Sequence, residues 1–124
     1  MDHFSRRQLR EGNINATLRW QFDLTELNFR SLVILFDGTT VAGVINYKSL
    51  GSGPQPGFEK QFGIDWSLNQ TSVKLVIFNV TVEENGRFTC QVYADAVEGY
   101  VYFRFESNVQ VEVIGKLQVT FSNI

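Results

Sequence analysis

An all-β fold built from short strands, a sandwich or a barrel, is what this 124-residue sequence predicts. Three observations predict it. Apolar and polar residues alternate with a period of two along much of the chain, the pattern of a strand with one buried face. Turn signals break the alternation at short intervals. No stretch carries a sustained helical period, and there are no heptads, low-complexity tracts or long internal repeats.

The elements follow in order. Ala16, Leu18, Trp20, Phe22 and Leu24 alternate with Thr17, Arg19, Gln21 and Asp23, which reads as a half-buried strand over residues 16–24. Leu32–Phe36 is a continuous apolar run ended by Asp37-Gly38, a dipeptide suited to the positive φ angles of a tight hairpin. Val41–Tyr47 is the expected return strand. The segment Gly51-Ser-Gly-Pro-Gln-Pro-Gly57 holds both prolines and reads as a loop. Alternation resumes over Gln61–Leu68. It continues with Val73, Leu75 and Ile77 against Lys74, Val76 and Phe78, then with Phe88, Cys90 and Val92 against Thr89, Gln91 and Tyr93. Val109, Val111 and Val113 against Gln110 and Glu112 close the series. Arg6, Arg7 and Arg10, followed by Glu11, read as a solvated edge strand rather than a phosphate site.

Composition narrows the function classes. A hydrophobic content of 44% and an aromatic content of 14% fit one globular domain. The net charge of −2 argues against a nucleic-acid partner, which would call for a basic patch. No apolar run is long enough for a membrane span in this fragment. Met1-Asp-His-Phe-Ser-Arg-Arg7 lacks the apolar stretch of a signal peptide, so residue 1 is read as the start of a mature segment. The sequences Asn15-Ala-Thr17, Asn69-Gln-Thr71 and Asn79-Val-Thr81 match the glycosylation acceptor pattern and point to a secreted or cell-surface protein.

Catalysis is not expected. The single histidine, His3, stands near the terminus in a segment read as frayed, and no serine or cysteine is spaced to use it. Cys90 lies between inward Phe88 and Val92, so its thiol is expected to be buried, free and inert. No paired His or Cys suggests a metal site. Asp65, Glu83, Glu84 and Asp95 read as solvated carboxylates rather than a calcium site. No cofactor is implied.

Glu84-Asn-Gly86-Arg-Phe88-Thr-Cys90 resembles the Asp-x-Gly-x-Tyr-x-Cys signature of variable-type (V-set) immunoglobulin domains, where the cysteine ends in strand F and is bridged to one on strand B. The resemblance covers roughly residues 8–115. It makes residues 1–115 a V-set-like domain and leaves residues 116–124 as a linker or the start of a following domain. The implied fold is an immunoglobulin-like β-sandwich lacking the inter-sheet disulfide, because Cys90 is the only cysteine. Trp20 stands at the strand-B cysteine position, Ile34 replaces the strand-C tryptophan, and Phe88 lacks the hydroxyl of the tyrosine corner. Trp20 is expected to fill the space these changes leave, with an indole N–H in need of an acceptor. Glu84 is expected to pair with a base near strand D, Lys60 being the candidate. The nearest match in kind is the membrane-distal domain of allorecognition receptors of colonial hydroids, surface proteins that bind like to like.

The resemblance also orients the strands. With Leu32 and Ile34 inward, Val33 and Leu35 face outward from the GFCC′ sheet, joined by Gln91 and Tyr93 on strand F, by Tyr47 on C′, and by Tyr100 and Tyr102 near strand G. These residues are the expected protein-binding surface, apolar with polar tips. Asn15, Asn69 and Asn79 belong to the opposite sheet or its edge, so glycans there would leave this face bare. The expected function is cell–cell recognition or adhesion at the extracellular face of the plasma membrane, with another copy of the chain on an opposing cell as partner. The alternatives are a heterophilic immune-type receptor, a viral immunoglobulin-like glycoprotein and a carbohydrate-binding sandwich.

Overall fold

The computed structural model describes residues 3–47, 49–67, 71–96 and 102–115. Within them the chain forms strands β1 (His3–Arg10), β2 (Ile14–Gln21), β3 (Leu27–Phe36), β4 (Thr39–Tyr47), β5 (Ser49–Pro54), β6 (Phe62–Ser67), β7 (Ser72–Asn79), β8 (Gly86–Ala96) and β9 (Tyr102–Ile114). A single turn of 3-10 helix, Val82–Glu84, precedes β8. The strands form two sheets, one ordered β1-β9-β8-β3-β4-β5 and one ordered β2-β7-β6. The molecule is therefore an all-β sandwich, as its alternation predicts.

Period-two patterning places the core between the sheets. Leu32, Ile34, Phe88, Cys90, Val92 and Val111 from the larger sheet meet Leu18, Trp20, Phe62, Val73, Leu75 and Ile77 from the smaller one, all of them buried. Phe88 stacks on Phe36 with ring centroids 4.6 Å apart and meets Phe62 edge-on at 5.9 Å. The hairpin between β3 and β4 turns on Asp37 and Gly38, whose φ angles are 47° and 86°. Two positive φ angles in a two-residue turn match the right-handed twist of the flanking strands.

Several expectations need correction. Residues 51–54 are not loop: they belong to β5, which pairs antiparallel with β4 from Tyr47↔Ser49 to Ala42↔Pro54. β5 is the outermost strand of its sheet, so Pro54 can sit in it without breaking a ladder on both sides. Its Gly- and Ser-rich sequence carries no alternation to read. β2 ends at Gln21, and the chain turns at Asp23, whose Oδ1 accepts from the Thr25 backbone N–H at 2.9 Å. His3 is not frayed, since it opens β1 opposite Ser107. Residues 116–124, expected as a linker or the start of another domain, lie outside the described residues.

The two sheets differ in width, six strands against three among the described residues. β1 pairs parallel with β9 over its whole length, and β2 has β7 on one side only. The inner side of β9 near Phe103 and Phe105 is consequently not fully covered, and Phe103 stays 42% exposed. A cavity of about 390 Å³ opens there, bordered by Trp20, Cys90, Val92, Phe105 and Val109 among others.

Candidate binding face

The outward side of the six-stranded sheet is organised in cross-strand rows. Leu35 lies beside Thr89 and Thr89 beside Asn108; Val33 beside Gln91 and Gln91 beside Glu106; Ser31 beside Tyr93 and Tyr93 beside Arg104. Residues at these positions share one face because strands alternate sides and ladder partners match.

The centre of this face is a hydrogen-bonded chain. The Tyr93 hydroxyl donates to Gln91 Oε1 at 3.0 Å, and Gln91 Nε2 donates to Glu106 Oε1 at 2.9 Å. From the other side Thr89 Oγ1 donates to Asn108 Oδ1 at 2.6 Å, and Asn108 Nδ2 donates to Glu106 Oε2 at 3.4 Å. Both arms end on the Glu106 carboxylate. The bonds from Gln91 and Asn108 hold its carboxyl below the usual glutamate range, with Arg104 and Arg87 adding to the effect. Chained bonds of this kind polarise and orient one another.

Charged and aromatic groups surround the chain. Arg30 reaches Asp95 at 3.6 Å and lies over the Tyr102 ring at 5.6 Å. That ion pair is exposed and contributes at most about 1 kcal/mol. At the β1 edge Phe4 is 49% exposed, with the guanidinium carbons of Arg6 and Arg87 at 5.8 and 5.6 Å from its ring centre.

Of the residues expected on the surface, Val33, Leu35, Gln91 and Tyr93 stand on this face and are half-buried, while Tyr102 is 59% exposed at its end. Tyr47 ends β4, where only its backbone is described, and Tyr100 lies outside the described residues. The face is more polar than the expected apolar patch. Thr89, Gln91, Glu106 and Asn108 occupy its middle, and Val33 and Leu35 flank them. Glu106, Asn108, Arg104 and Phe4 were missed. Extending the Val109–Val113 alternation back along β9 would have turned Asn108, Glu106 and Arg104 outward. Phe4 carried no such signal.

Asn15 and Asn79 are exposed on β2 and β7, the smaller sheet, and Asn69 lies outside the described residues. The expected pairing of Glu84 with Lys60 is not made. Glu84 is buried and turns back on its own segment, accepting from the Thr81 backbone N–H at 3.1 Å and hydroxyl at 2.9 Å. Asp65, Glu83, Glu84 and Asp95 do not converge, and no group of three or more His, Cys, Asp or Glu that could hold a metal is found among the described residues. The Trp20 indole Nε1 is buried and has no hydrogen-bond partner among the described residues, so the acceptor it calls for is not found there. Cys90 is buried, and desolvation pushes its thiol pKa up to about 12. Compared with models of known families and with curated proteins, the chain matches none.

Proposed function

We propose that this domain is an extracellular recognition and adhesion module, not an enzyme, that binds protein through its six-stranded face and takes a second copy of itself as partner. The observation that carries this reading is the hydrogen-bonded chain centred on Glu106. Side chains already held in place lose less freedom on association, a saving of about 0.5–1.5 kcal/mol for each one otherwise immobilised. The half-buried Val33 and Leu35 add apolar area beside it. The exposed acceptor positions Asn15 and Asn79 are on the other sheet. The strand orders β1-β9-β8-β3-β4-β5 and β2-β7-β6 are those expected of a V-set domain with strands A′GFCC′C″ and BED, which supports the family reading. A surface that carries both charge signs suits self-association, since a two-fold arrangement lets one patch serve both partners.

Beads displaying the domain test this. Parent beads are expected to cluster through multivalent contact. Val33→Arg places a charge on the face beside Gln91 and is expected to disperse them, with the fold intact because the side chain points outward. Lys74→Glu, at an exposed position of β7 in the smaller sheet, is the control and is expected to cluster normally. Parent beads that stay single but attach to another cell type would replace the like-to-like partner with a heterophilic one. Clustering that survives Val33→Arg and is lost in Lys74→Glu would move the binding surface to the other sheet.

A further inference from the structure

Charge on the six-stranded face is complementary to itself. β9 presents Arg104 and Glu106 two residues apart on one side, about 7 Å along the strand. Glu106 is a fixed anion, gripped by Gln91 and Asn108 at 2.9 and 3.4 Å. Arg104 is exposed and takes no part in an ion pair among the described residues, where the one such pair joins Arg30 to Asp95. An anchored carboxylate and a guanidinium that forms no ion pair among the described residues thus stand in neighbouring rows, Val33–Gln91–Glu106 and Ser31–Tyr93–Arg104.

Building on the reading that this face binds a second copy, we propose that the two copies meet about a two-fold axis crossing the strands between these two rows, so that Arg104 of each copy pairs with Glu106 of the other. The charges select this register. An axis along the Glu106 row sets the two Glu106 carboxylates against each other. An axis along the Arg104 row does the same to the guanidinium groups. Only the position between them turns both repulsions into pairs, and it does so twice by symmetry. The same operation lays Tyr93 over the second copy's Gln91 and the small Ser31 over its apolar Val33. Packed sheets lie about 10 Å apart, a gap that an arginine and a glutamate span jointly. A guanidinium also matches a carboxylate with two parallel hydrogen bonds, which fixes orientation. Swapping the signs at these two positions therefore creates a new self-recognising surface that rejects the old one.

The experiment uses two-colour beads carrying the full chain as parent, Arg104→Glu, Glu106→Arg and the double variant, each checked by thermal melting. Each single variant opposes like charges with itself and is expected to lose clustering. An equal mixture of the two singles is expected to cluster like the parent, with both colours in every cluster. The double variant is expected to cluster with itself and to exclude parent beads. If Glu106→Arg lowers the melting temperature by more than a few degrees, Glu106→Lys takes its place in every arm. A single variant that clusters alone like the parent, a mixture or a double variant that stays dispersed, or a double variant that joins parent clusters overturns the pairing. With parent beads clustering and Val33→Arg beads dispersed, any of those results leaves the face as the binding surface. Parent beads that never cluster remove both readings together.

Discussion

Trp20 lies on β2 with a large ring 5% exposed and an indole N–H that meets no acceptor among the described residues. Burial of an aromatic side chain stabilises the fold, and a buried N–H left without an acceptor costs about 1–3 kcal/mol. Two substitutions separate the terms. Trp20→Ala is expected to destabilise by about 3–5 kcal/mol in urea unfolding. Trp20→Phe keeps much of the ring and removes the orphan donor, so its loss should be a small fraction of that. Equal losses for the two would mean that ring packing is not what Trp20 contributes. Cys90, 2% exposed with a thiol pKa of about 12, should react with a thiol reagent at pH 8 only as fast as the domain opens, and rapidly once it is unfolded. Rapid labelling of the native domain would show that the nearby cavity admits the reagent. That both side chains point inward was legible, because alternation in β2 and β8 fixes it. The missing acceptor was not, because it depends on what a neighbouring strand brings near the indole.

The segment from Thr81 to Gly86 shows what an element adds to a motif. Thr81 and Glu84 cap one another across the 3-10 turn. Asn85 Oδ1 accepts the Val113 backbone N–H at 2.9 Å and ties the turn to β9. At Gly86 a Cβ would stand 2.6 Å from Asp37 Oδ2 and 2.8 Å from the Phe36 ring, so only glycine admits the β3–β4 hairpin this closely. Neither neighbour is free to move: Asp37 Oδ1 accepts from the Arg87 N–H at 2.8 Å, and Phe36 is stacked on Phe88. Gly86→Ala should therefore cost about 1–3 kcal/mol, the range for overpacking a filled site. Gly53→Ala, where nothing lies within 4 Å, is the control and should leave the melting temperature nearly unchanged. If both glycines tolerate alanine alike, the close approach does not hold in solution. The sequence located this motif through its resemblance, but it assigned Glu84 to Lys60. The Thr81-Val-Glu-Glu84 spacing of a capping box was present and is the better signal, since it needs no knowledge of a distant strand. β5 stayed hidden for the opposite reason: glycine, serine and proline give no periodicity, and only the edge of a sheet makes them a strand.

At the scale of the whole molecule, two sheets of unequal width differ in what their outer faces carry. The smaller carries the two described acceptor asparagines, and the larger carries the organised polar face. The sandwich was legible because alternation reports burial directly. The composition of the face was legible only in part: β3 and β8 named Val33, Leu35, Gln91 and Tyr93, whereas Glu106 and Asn108 become visible once β9 is laid beside β8 in register. The parallel pairing of β1 with β9, from His3↔Ser107 to Arg10↔Ile114, has a mechanical consequence. Traction applied between His3 and Gly115 runs along this ladder, so its hydrogen bonds share the load and must give way together. Traction applied between Arg10 and Ile114, which are ladder partners, opens the same bonds one after another from one end. Single-molecule pulling should record a higher rupture force in the first geometry than in the second, and equal forces would show that the load passes elsewhere. A module that joins surfaces under tension would thus hold longest when pulled along the direction of these two strands.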